Sequence, residues 1–229
     1  MKKTIVFLTS VLLVLGGCSG GGKSANQAAP TPMPSVASTI DFPIYAGSRV
    51  LVAKTFTQVL NNTNAAYNGV LMGGNGKYEG NEVIAASPAS FDQLRGWVRA
   101  SADKPPAGYT TLQQTNVTDA RSSMQRYGMD FQLFQRAQTG KAPVGLIVIV
   151  MDPARVTKSL GPALGLIARY RSLPDFAKKP IDDQVKAQTG FSVTEALQPE
   201  SPLGIALDAL NQFSHSDQRA ILLVNAQKQ

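Results

Sequence analysis

Val144-Gly145-Leu146-Ile147-Val148-Ile149-Val150-Met151 is the most apolar run after residue 40. It is rich in β-branched residues and too short for a buried helix, so it reads as a strand. A strand that is apolar at every position is covered on both faces and belongs in the middle of a sheet. Asp152-Pro153 closes the run as a turn opening, with Asp152 as a candidate acid or ligand at the strand's end. Upstream, across a loop around Gly140, Met129, Phe131 and Leu133 alternate with polar neighbours in the period-2 pattern of a strand. Downstream the pattern becomes helical. Gly161-Pro162 can start a helix with Leu164, Ile167 and Ala168 inward, Pro180 a second through Val185, and Ser201-Pro202 a third with Leu203, Ala206, Leu207 and Leu210 inward. Arg219 to Ala226, carrying Ile221, Leu222, Leu223 and Val224, reads as a last strand returning to the sheet.

Working toward the N-terminus, Tyr109 to Val117 reads as a polar strand near a sheet edge, and residues 118–128 as turn-like. Ser87-Pro88 or Ser90 starts a helix, with Ser90 and Gln93 able to form a capping box, and the spacing of Phe91, Leu94, Trp97 and Val98 places them on one helical face; Trp97 is read as core rather than a ligand platform. Tyr67 to Met72 and Tyr78 to Ala86 flank Gly73-Gly74-Asn75-Gly76, a hairpin signal because glycine and asparagine accept positive φ. Arg49 to Leu60 is a further β-rich run, and Asn61 to Asn64 a turn. The pattern predicts an α+β fold, a mainly antiparallel sheet with helices packed on one face, forming a single domain over residues 41–229.

Before that domain the chain changes character twice. Lys2 and Lys3 precede an apolar run from Ile5 to Leu15, then Gly16, Gly17 and Cys18, the chain's single cysteine. A run of about a dozen residues is short of the roughly 20 that cross a bilayer as a helix, and it has the layout of an export signal. Leu15-Gly16-Gly17-Cys18 resembles the lipobox of bacterial lipoproteins. The resemblance implies cleavage that removes residues 1–17, diacylation and N-acylation of Cys18, and attachment to a membrane outside the cytoplasm. Ser19, rather than Asp, after the cysteine implies the outer membrane facing the periplasm if the envelope is Gram-negative, and the outer face of the plasma membrane otherwise. Residues 18–40 then form the lipidated cysteine and a Gly/Ser/Ala/Pro tether whose r.m.s. reach is on the order of 25 Å. The opening Phe42-Pro43-Ile44-Tyr45-Ala46-Gly47 is similar to openings of uncharacterised bacterial envelope proteins, and no characterised family is implied for the domain.

Charge and chemistry narrow the function classes. The formal charge is +7, and +5 without Lys2 and Lys3, from basic residues that are scattered rather than clustered. Nucleic acid is not an expected partner for an exported chain; an envelope protein, cell-wall or lipid partner is. Gly17 to Ser24 matches the phosphate-loop pattern formally, but the strand before and helix after that such a loop needs are missing, so no nucleotide is expected. The sequons at Asn61 and Asn116 carry no weight in a bacterial lipoprotein. One histidine, His215, and one cysteine leave no thiolate or imidazole metal set, and no cofactor is expected. Ser214-His215-Ser216-Asp217 cannot form a triad from adjacent loop residues, and no G-x-S-x-G turn accompanies it. Asp182-Asp183 reads as a helix's acidic first turn, and the spacing of Asp130, Asp152, Asp175, Glu195 and Asp208 selects no catalytic pair. The expectation is a noncatalytic, membrane-anchored binding or structural domain. The alternative is an envelope hydrolase using carboxylates or a serine with His215.

Overall fold

The computed structural model describes residues 37–60, 76–112, 117–189, 192–198 and 217–229, together with Gly204, Leu207, Ala209, Leu210 and Phe213. The strands are β1 (Arg49–Leu60), β2 (Gly76–Ser87), β3 (Thr110–Thr111), β4 (Met129–Gln138), β5 (Lys141–Met151) and β6 (Arg219–Lys228). They form one antiparallel sheet in the order β1-β2-β6-β5-β4-β3. The helices are α1 (Phe91–Asp103), α2 (Val117–Arg126), α3 (Pro153–Arg171), α4 (Asp175–Thr189) and α5 (Val193–Ala196). The chain is α+β. The run Val144–Met151 lies inside the sheet as β5, between β4 and β6, and the last strand enters between β2 and β5.

Helices pack on both faces of this sheet, where the sequence pattern predicts them on one. Along β6, Ala220, Leu222, Val224 and Ala226 join one apolar cluster, while Ile221 joins the other with Leu223. The first cluster takes Val156, Ile167 and Tyr170 of α3, Val185 of α4, Val193 and Ala196 of α5, and Leu207, Leu210 and Phe213, which are helical. The second takes Phe91, Leu94 and Val98 of α1 with Ile40 and Phe42. The physical reason stands in β6 itself, since a strand apolar at successive positions has no face that water can solvate.

Local chemistry explains where the helices begin. Ser90 caps α1 with both bonds of the capping box, Gln93 N to Ser90 Oγ at 3.3 Å and Ser90 N to Gln93 Oε1 at 2.8 Å. Asp152, expected to open a turn, instead caps α3: its Oδ1 accepts from Arg155 N at 3.1 Å, and Pro153 occupies the first helical position. Helix α3 therefore starts before Gly161-Pro162 and runs through it, and α4 likewise runs through Pro180. Residues 118–126, within the stretch expected as turn-like, are helical together with Val117 from the end of the expected strand, and among the described residues that strand is present as Thr110–Thr111 at the sheet's edge. The 61–64 turn, the 67–72 strand and the 73–75 hairpin residues lie outside the described residues. Strand β2 pairs with β1, from Leu60↔Gly76 to Arg49↔Ala86.

Candidate functional site

Among the described residues, the sheet face on which α1, Ile40, Phe42 and Tyr109 pack extends beyond that helix. A 13-residue helix spans about 20 Å, whereas 12-residue strands span about 40 Å. Over the covered half the cross-strand rows on this face are largely apolar. One runs Ala53, Val83, Leu223, Val148 and Gln132, and another Val50, Ala85, Ile221, Val150 and Asp130. Past the helix the rows turn polar: Thr55, Asn81 and Asn225 lead to Leu146 and Phe134, and Thr57, Glu79 and Gln227 lead to Val144 and Arg136. Five strands at about 4.8 Å spacing make this floor roughly 19 Å wide. With Gln138 and Gln229 these polar residues line an open trough of about 550 Å³, within the size range of ligand sites.

The amide groups on the floor are held in place. Asn225 Oδ1 accepts from Asn81 N at 2.8 Å and from Asn81 Nδ2 at 3.1 Å. Gln227 Nε2 donates to Gln138 Oε1 at 2.9 Å and to the carbonyl of Ala142 at 2.6 Å. Beneath, on the opposite face, Gly80 gives the backbone its close approach. A Cβ there would collide with the Asn225 carbonyl oxygen and lie 2.6 Å from Cζ of Phe56, whose ring covers the glycine. Opposite charges mark the two sides. Arg136 Nη1 meets Asp41 Oδ2 at 3.2 Å, with its guanidinium 5.2 Å from the centroid of the Tyr109 ring, and Glu79 Oε1 accepts from Lys77 Nζ at 2.8 Å. Burial pushes the Tyr109 phenol up, and Arg136 partly offsets that. Both ion pairs have an exposed partner and contribute at most about 1 kcal/mol, so a ligand can exchange with either at little cost.

The acids singled out in the sequence do not converge on this trough. Asp130 is fully buried at the far end of the covered face, and it accepts from Arg121 Nε at 2.5 Å, Gln125 Nε2 at 2.9 Å, Phe131 N at 2.9 Å and Arg95 Nε at 3.4 Å. It ties α1 and α2 to β4. Asp152 caps α3 and lies 3.2 Å from Arg219 Nε. Asp175 is exposed beside Lys178, and Asp183 beside Lys179. Asp182 accepts from Tyr170 Oη and Thr194 Oγ1, each at 2.7 Å, and from Thr194 N at 3.0 Å. Burial alone would raise the Asp182 carboxyl, but these donors outweigh it and hold the group below its usual range. Tyr170 is pushed up to about 12, chiefly by burial. For Glu195 burial is likewise the largest influence and acts upward; Lys186 and the Ser192 capping box together lower it overall. Trp97 is half-buried, edge-on to Phe42 and Tyr45. Cys18, Asp208 and His215 lie outside the described residues. Among the described residues no three histidine, cysteine, aspartate or glutamate side chains gather to hold a metal.

The trough residues were not singled out from sequence, although a signal exists in β2. Lys77, Glu79 and Asn81 share a face with Val83 and Ala85, so polarity switches halfway along one face of one strand. No family model, no curated protein and no solved structure matches the chain.

Proposed function

We propose that the protein is a lipid-anchored envelope lipoprotein whose folded domain binds or scaffolds a partner rather than catalysing a reaction. The observation that carries this reading is the order Lys2-Lys3, apolar run, Leu15-Gly16-Gly17-Cys18 and tether. A chain acylated at Cys18 is held by several acyl chains, each buried methylene contributing about 0.8 kcal/mol, and the tether lets the domain search a nearby surface. Two features of the domain support a binding role. Asp130, Asp152, Asp182 and Glu195 are engaged in fastening helices to one another or to the sheet, and the trough presents fixed amides instead of an acid–base pair. The test is metabolic labelling with a clickable palmitate analogue in cells expressing wild type or Cys18→Ala. The reading expects label on the wild type only, with the variant leaving the membrane fraction. An unlabelled wild type, or identical partitioning of the two, contradicts it.

A further inference from the structure

We propose that the trough beyond α1, open among the described residues, is a glycan-binding face that takes a neutral, polyhydroxylated chain. The inference deepens the binding role proposed above and rests on it.

The chemistry of the floor selects the ligand class. Asn81, Asn225, Gln227 and Gln138 carry amides, each with both donor and acceptor atoms, and Thr55 and Thr57 carry hydroxyls. Such groups match a ligand whose own groups both donate and accept, as sugar hydroxyls do. The formal charges of Glu79 and Arg136 cancel, and three strand spacings, roughly 14 Å, separate them across the sheet. An anionic polymer therefore meets two balanced ion pairs, Lys77–Glu79 and Arg136–Asp41, and an apolar ligand meets a lining whose apolar residues are Phe56 and Val144 among polar neighbours. A peptide strand is ordinarily captured by pairing with a sheet edge. Here β2, β6 and β5, which form the middle of the floor, are interior strands already paired on both sides, so the middle of the floor offers side chains only, and the edge strand β1 contributes Thr55 and Thr57 at one margin.

The bonds among the floor amides support a built site. Asn225 Oδ1 replaces a backbone acceptor for Asn81 N, and Gln227 bridges Gln138 to the Ala142 carbonyl. The amide heads are thus oriented before any ligand arrives, which lowers the entropic cost of binding. The polar rows of the floor carry no exposed aromatic ring for a sugar to stack on, so the expected affinity is weak, with Kd on the order of 1 mM.

The test uses the full-length chain in detergent micelles, titrated with neutral tetramers of glucose, galactose and N-acetylglucosamine and observed through the side-chain amide NMR signals of Asn81, Asn225 and Gln227. At least one tetramer should shift these signals saturably below about 10 mM. Gln138→Ala should weaken that binding about tenfold, and Thr57→Val, at an exposed position, should weaken it severalfold with an unchanged melting temperature. Thr57→Val keeps the test valid if Gln138→Ala does not fold. The assignment is overturned if no tetramer gives a saturable shift, if both variants bind as wild type does, or if dextran sulfate or a neutral Gly-Ser peptide produces the same shifts at lower concentration. Membrane fractionation of the same cells separates the two claims, since protein that stays membrane-bound and binds no tetramer overturns the glycan assignment alone.

Discussion

Replacing Asp130 by asparagine keeps the shape of the side chain and removes its charge. All four contacts to the carboxylate are donors: Arg121 Nε and Phe131 N on Oδ1, Arg95 Nε and Gln125 Nε2 on Oδ2. Whichever way the amide turns, its NH₂ faces two donors. Arg95 and Arg121, whose side chains are only 25 % and 22 % exposed, also lose their buried counter-charge. Breaking a buried ion pair from one side costs about 3–5 kcal/mol, a large share of the roughly 5–15 kcal/mol that holds a domain folded. Urea denaturation followed by circular dichroism reads the loss. With a slope of about 2 kcal/mol per molar urea, the midpoint should fall by roughly 2 M. Asp92→Asn is the control, because Asp92 bonds the same Arg95 from a position 86 % exposed and should change stability by no more than about 0.5 kcal/mol. Equal, small effects from the two variants would refute the claim that Asp130 locks α1 and α2 to the sheet.

Two further outcomes follow from the packing and the protonation states. Gly80→Ala drives a methyl into the Asn225 carbonyl and the Phe56 ring and should cost about 3 kcal/mol, at the upper end for overpacking; a melting temperature within 2 or so degrees of wild type argues against the close approach. Tyr170 has a folded pKa of about 12, raised from 10.0, so its neutral phenol favours the fold. That contribution is complete below pH 10, where both states are protonated, and is lost as pH rises from about 10 toward 12, by at most about 3 kcal/mol. Tyr170→Phe should flatten this alkaline limb of the stability profile, and an unchanged limb contradicts the assignment.

The sheet was more legible in the sequence than the helices were. The Val144–Met151 run and the Arg219–Ala226 run announce themselves because an interior strand buried on both faces is apolar at successive positions. The same continuity also argues for two covered faces, yet the sequence pattern points to helices on one, since the partner of each face depends on topology that no local pattern carries. Pro162 and Pro180 mislead as helix starts because proline usually opens a helix, and here both lie inside longer ones. The real start of α3, Asp152-Pro153, has the same composition as a turn. Helix α2 is nearly illegible because its order depends on Arg121 and Gln125 reaching a carboxylate on β4. For the same reason Asp130 looks like a candidate acid in sequence and is a fastening in structure. The trough is visible only after the register is known, because its rows draw one residue from each of several strands distant in sequence.

The proposed membrane anchor depends on the fate of Cys18, and an intact mass of the mature protein extracted from membranes measures that directly. It should begin at Cys18 and carry the added mass of a diacylglyceryl thioether, plus an amide-linked acyl chain. A mature chain that retains residues 1–17, or that begins at Cys18 with a free thiol, contradicts it.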